Sequence, residues 1–235
     1  METNRRIENR SRPLIWVEGV IGSGKSTFCD EIGRRLQFLV MKEPVDSNPY
    51  LEKFYADPER WAFPMQMHLL MERYNMQRAA ASIATGALPE YRGVVLDRSI
   101  SGDRVFCKLH YESGNISELE WRTYERAYLI MAQSLLPPTT VIFLDCAPET
   151  AYERVQRRMD EKGGVRKSES AVDLDYLRRL RDGYFALWQE AKRGLLPWGH
   201  AVDITTFHWD PVNDKPDWDR HAQSIAHLCE AASAA

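Results

Sequence analysis

The chain has 235 residues, 31 Lys and Arg against 34 Asp and Glu, and 44% apolar residues. That is enough material for one α/β domain with a full core, and the formal net charge of −3 offers no basic field for nucleic acid or an anionic membrane. Cys29, Cys107, Cys146 and Cys229 are scattered, without C-x-x-C or zinc-like His spacing, which points to reduced thiols in a cytosolic protein. No apolar run reaches the length of a membrane span, and residues 1–12 are polar, lack a signal-like apolar stretch and read as a loose tail ahead of one domain over 13–235.

The first predicted element is a strand over 14–17, followed by Gly19-x-x-x-x-Gly24-Lys25-Ser26 and a helical pattern over 28–36. Strand, glycine-rich turn and helix in that order are the context of a phosphate-binding P-loop. Glycines let backbone N–H groups approach an anion, and the positive end of the next helix faces it. Lys25 adds a charge toward the β and γ oxygens, and the Ser26 hydroxyl is placed to ligate Mg²⁺. These residues predict binding of a nucleoside triphosphate.

A second buried strand, 38–41, runs into Lys42-Glu43-Pro44-Val45. Asn48-Pro49-Tyr50 opens a helix over 51–55, Asp57-Pro58 breaks it, and a long helix covers 61–84. Its methionine-rich stripe suits core packing or a dimer interface. A strand over 94–96 ends in Asp97-Arg98-Ser99, and helices follow over 104–111 and 118–136, the second stopped by Pro137-Pro138. The next strand, 140–144, ends in Asp145. A helix over 149–159 is interrupted by Gly163-Gly164; another spans 172–192, and a late strand 201–204. From 205 to 235 the pattern is a loop rich in Trp, Asp and Pro, then a helix from about Trp218. Strands alternating with helices predict a parallel sheet covered on both faces.

Ligands in such sheets sit beyond the carboxyl ends of the strands, so charges there carry functional weight. Glu43, ending the second strand, is placed to accept a hydroxyl proton during phosphoryl transfer. Asp97 can hold Mg²⁺, directly or through water, and Arg98 can steady the phosphoryl group or the attacking oxygen.

Several motifs recur together: E-G-x-I-G-S-G-K-S-T at 18–27, E-P-V at 43–45, N-P-Y-L-E-K-F-Y-x-D-P-x-R-W-A-F-x-x-Q at 48–66, D-R-S at 97–99 and A-Y-E-R at 151–154. With these the chain resembles the deoxyribonucleoside kinases, most nearly the bacterial deoxyadenosine/deoxyguanosine kinase branch. The resemblance implies a P-loop kinase fold with a five-stranded parallel sheet, a homodimer built on long helices, and γ-phosphoryl transfer from ATP to a deoxynucleoside 5′-hydroxyl. By the same resemblance Glu43 is the general base, supported by Arg98. Residues Gly19, Val20, Ile21, Gly22, Ser23, Gly24, Lys25, Ser26 and Thr27 cradle ATP, and Ser26 with Asp97 holds Mg²⁺. Tyr55 reaches the sugar 3′-hydroxyl, Gln66 with its neighbour Met65 meets the base, and Arg73 two turns on shares the pocket with Asp103. The Arg–Asp pair favours a purine, with deoxycytidine second and thymidine disfavoured. In a lid over about 154–170, Arg154, Arg158 and Arg166 clamp the triphosphate and Glu169 joins Tyr55 at the sugar, with Glu161 the alternative to Glu169. An added stretch with Gly163-Gly164 departs from the family lid.

Two other readings compete. Thymidylate kinase shares the D-R motif, but its second strand leads to Arg-Glu-Pro-Gly where this chain has Lys42-Glu43-Pro44-Val45. A P-loop switch ATPase would need a nucleotide-sensing loop, and the guanine-reading N-K-x-D is absent.

Overall fold

Parallel strands buried on both faces dictate the layout. The computed structural model describes residues 12–42, 48–161, 172–199, 202–209 and 216–234; Glu43, Arg166, Glu169 and Gly163-Gly164 lie outside the described residues, as does the side chain of Glu161. The strands are β1 (Leu14–Glu18), β2 (Phe38–Met41), β3 (Gly93–Asp97), β4 (Thr140–Asp145) and β5 (Asp203–His208). They form one parallel sheet in the order β2-β3-β1-β4-β5, so the phosphate-loop strand is central. Its alternation is strict. Leu14, Trp16, Val94, Leu96, Val141 and Phe143 bury against one layer, and Ile15, Val17, Val95, Ile142 and Leu144 against the other.

The second layer is closed by α1 (Lys25–Leu36) and α8 (Trp218–Ala234), where Phe28 meets Trp209 edge-on at 5.4 Å. The first is closed partly by α7 (Leu174–Lys192), which brings Tyr184 and Trp188 onto Phe143. A third cluster joins α2 (Leu51–Ala56), α3 (Pro58–Ala84), α4 (Ile100–Glu112) and α5 (Glu118–Gln133), and α6 (Pro148–Glu161) follows β4. Helix α3, 27 residues and about 40 Å long, starts at Pro58 with the Asp57 side chain as its cap and continues through Pro64.

Some predicted boundaries move. Helix α4 begins at Ile100, not 104, because the Ser99 hydroxyl accepts from the amides of Ser101 (3.1 Å) and Gly102 (3.3 Å). Helix α5 ends at Gln133 rather than 136, and α7 starts at Leu174 with Asp173 capping it. Strand β5 lies at 203–208, not 201–204, since residues assigned to a loop pair with β4 as far as Asp145 opposite His208. Arg12, placed in the tail from the sequence, donates to the Leu88 carbonyl at 2.6 Å, and its amide donates to Ala84.

His110, in the last turn of α4, is buried with its ring edge-on to Phe54 at 5.0 Å. Burial, with help from the Arg179 charge, pushes its imidazole down to about 4. The unfolded chain therefore takes up the proton first, near pH 6.5. Stability is full above that pH and declines as pH falls toward 4, by on the order of 3 kcal/mol. Denaturant titrations across pH 4–7 should show this slope, and His110→Leu should flatten it relative to the parent.

Candidate active site

The loop between β1 and α1 is shaped by what it must avoid. Gly22 holds φ at 81°, and a Cβ there would lie 2.4 Å from the Ala151 carbonyl of α6. Only glycine lets the loop press so close to that helix. Val20 and Ser23 are buried, Ile21 is half-buried and Thr27 is exposed at the first turn of α1. Lys25 is buried, and its ammonium donates to the carbonyls of Gly19 (3.1 Å) and Val20 (2.9 Å), so the cation lies over the loop. The Ser26 hydroxyl donates to Asp97 Oδ2 at 2.6 Å. Asp97 Oδ1 is buried with no hydrogen-bond partner among the described residues.

That pairing follows from register. Val17 lies opposite Asp97 and Met41 opposite Leu96, so β1, β2 and β3 end level beneath the loop. Arg98 comes next, with φ at 79°, in the left-handed region. Its guanidinium is buried, lies 4.6 Å over the Phe106 ring, and donates to the Gly19 carbonyl (3.4 Å) and to the Tyr184 hydroxyl. From the other side, Arg154 Nη1 reaches the Ser23 carbonyl at 3.4 Å, and Arg158 stands half-buried one turn further along α6.

Sequence reasoning missed Glu18. It is fully buried at the end of β1, where Oε1 accepts from the Ser99 amide (2.7 Å) and hydroxyl (2.5 Å) and Oε2 from Tyr184 (2.9 Å). Burial raises its pKa, against the lowering effect of the nearby Arg98 charge.

A second group of polar side chains lies between α3 and α4. Arg73 and Asp103, only 3% and 1% exposed, form a buried ion pair, and Tyr124 donates to Asp103 Oδ2 at 2.7 Å. One turn along each helix, Gln77 Oε1 accepts from the Ile100 amide at 2.7 Å. Gln66 is buried with its carbonyl oxygen lacking a partner among the described residues. Met65 packs into the third cluster, and Tyr55 is half-buried beside Phe54, their ring centroids 5.0 Å apart. Tyr124 was missed as well, since an aromatic at helical spacing reads as core.

The sheet order, the phosphate loop and the charges at the strand ends together describe a phosphotransferase. A family model described as deoxynucleoside kinase matches residues 15–230. This chain belongs to the deoxynucleoside kinase family. It is 32% identical over 193 residues to a deoxyadenosine kinase of Dictyostelium discoideum, covering 80% of this chain and 74% of that protein. A deoxyguanosine kinase of Bacillus subtilis is 26% identical over 92% of this chain and 97% of its own. Among solved structures, a deoxyadenosine kinase from M. mycoides with dCMP and a flexible dCDP bound superposes with TM-score 0.70 at 25% identity, covering 93% of this chain and 99% of that one. The chain is thus an ATP-dependent kinase of nucleosides, as expected from Lys42-Glu43-Pro44-Val45 over the thymidylate kinase reading.

The kinase's grip on ATP should depend on the shape of its loop. Gly22→Ala adds a Cβ within 2.4 Å of a backbone oxygen and strain of about 1–3 kcal/mol. Calorimetric titration should show ATP binding weakened at least about tenfold, with a lowered Tm.

Proposed function

We propose that the chain transfers the γ-phosphoryl of ATP to the 5′-hydroxyl of a purine deoxynucleoside, accepts deoxycytidine second and disfavours thymidine. The observation carrying the discrimination against thymidine is the Gln66 carbonyl, buried and without a partner among the described residues, on the same helix as the Arg73–Asp103 pair. Both Asp103 oxygens already accept, from Arg73 and Tyr124. An exocyclic amine, which adenine and cytosine carry and thymine lacks, therefore meets its acceptor at Gln66, while Arg73 donates to the base edge. The names of the relatives, deoxyadenosine and deoxyguanosine kinases, agree with this preference.

In this reading Glu43, outside the described residues, takes the hydroxyl proton, and Arg98 and Lys25 meet charge on the transferring phosphoryl. Arg154, Arg158 and Arg166 clamp the triphosphate, and Tyr55 and Glu169 hold the sugar. Asp97, with one oxygen held by Ser26 and the other without a partner among the described residues, fits a Mg²⁺ ion. When bound, that ion would neutralise phosphate charge, and Ser26 and Asp97 would hold it. We assign the enzyme to deoxynucleotide supply in the cytoplasm.

Supplying ATP, Mg²⁺ and each of four deoxynucleosides tests the assignment. Monophosphates should form from deoxyadenosine and deoxyguanosine at kcat/KM values at least about tenfold above that for thymidine, with deoxycytidine between. A diphosphate made from dTMP, or ADP released without an acceptor, would contradict it.

The protein is proposed to act as a homodimer through α5. Ile130 is 60% exposed and Leu129 38%, on a helix face that also carries Trp121, with Met71 of α3 exposed as well. A second copy would cover this apolar stripe. Light scattering should give twice the chain mass for the parent and the single mass for Ile130→Glu.

A further inference from the structure

The Arg98 guanidinium stands 4.0 Å from Glu18 Oε2, too far for a hydrogen bond. The Tyr184 hydroxyl fills the gap: it donates its one proton to Glu18 at 2.9 Å and presents a lone pair to Arg98 Nη1. Glu18 in turn is fixed by two hydrogen bonds from Ser99, the residue after Arg98. Three residues thus hold the guanidinium from beneath the phosphate loop, and each is fully buried. The Tyr184 hydroxyl thus stands between the guanidinium and the carboxylate, where its loss would be felt by both.

We propose that Tyr184 is a positioning residue for phosphoryl transfer, holding the Arg98 guanidinium at its working place through the buried Glu18 carboxylate. The proposal rests on the reading above that Arg98 meets the transferring phosphoryl. Removing the hydroxyl deprives Arg98 of an acceptor and Glu18 of a donor while leaving the ring that packs on Phe143 and Trp188. The fold should survive, and the arginine should lose its aim.

Tyr184→Phe should lower kcat about ten- to a hundredfold, the scale of a misplaced catalytic group, with KM for ATP and for the deoxynucleoside within about twofold and a cooperative thermal transition. Glu18→Gln, which keeps the size but not the charge, should lower kcat in the same way. The decisive comparison is Arg98→Lys alone and combined with Tyr184→Phe. If Tyr184 acts through Arg98, the double variant is no slower than Arg98→Lys. Multiplicative losses, or a Tyr184→Phe enzyme with parental kcat beside a crippled Arg98→Lys, overturn the proposal alone. An Arg98→Lys enzyme with parental turnover overturns the role of Arg98 itself.

Discussion

Glu18 ends the central strand with no access to water, and the architecture around the site follows from meeting the hydrogen-bonding needs of its carboxyl group there. A buried carboxylate costs several kcal/mol unless its lone pairs are met and its charge is balanced. Here the donors come from Ser99, 81 residues away, and Tyr184, 166 residues away, and the balancing charge from Arg98. No local structure could supply them. The carboxylate is satisfied only when β1, β3 and α7 have all docked, so a polar requirement fixes where the phosphate loop emerges. The first turn of α4 is subject to it too. At Gly102 a Cβ would fall 2.2 Å from Glu18 Oε2, so the helix can approach only as glycine.

The same principle recurs between α3 and α4, where burial turns polar pairs into fixed spacers. Gln77 takes the Ile100 amide, and Arg73 takes Asp103, one turn along on each helix. An exposed ion pair here would add little, but a buried one, with Tyr124 on the second oxygen, cannot slip without stranding a charge. Because α4 starts at the Asp97-Arg98-Ser99 turn, these contacts tie the position of α3, and so of Gln66, to the end of β3. The positions of Gln66 on α3 and of the charges at the end of β3 are therefore set by one helix start.

Much of this could be read from residue order. Phosphate binding is local: glycine spacing, a lysine and a serine after an apolar run carry the chemistry within a dozen residues. The sheet could be read too, because strands buried on both faces leave apolar runs ending in charge. Arg73 and Asp103 were paired through the family resemblance, and periodicity does not show that the pair is buried. Glu18, Tyr184 and Tyr124 stayed hidden because each matters through partners remote in sequence, and a tyrosine at a core position looks the same whether its hydroxyl works or not. The start of α4 was hidden because Ser-Gly reads as loop until the cap is seen. Strand β5 was misplaced because Thr205 and Thr206 lie at the sheet's edge, where little apolar alternation is needed.

Arg98 shows how these demands converge on one backbone position. Asp97 must point at Ser26, Ser99 must cap α4 and reach Glu18, and a single residue separates them. The Arg98 amide still donates to the Val17 carbonyl at 3.0 Å, so the chain cannot leave the sheet before it. The turn is made by taking φ to 79°, a conformation costing a side-chain-bearing residue about 1–3 kcal/mol. Glycine would relieve that strain at once, yet it would leave no guanidinium for Tyr184 and the Gly19 carbonyl to hold. An unstrained turn one residue longer would carry Ser99 away from Glu18. The strain at Arg98 is thus the consequence of putting a cation beside the phosphate loop while the carboxylate that meets Ser26 and a helix cap occupy the positions on either side.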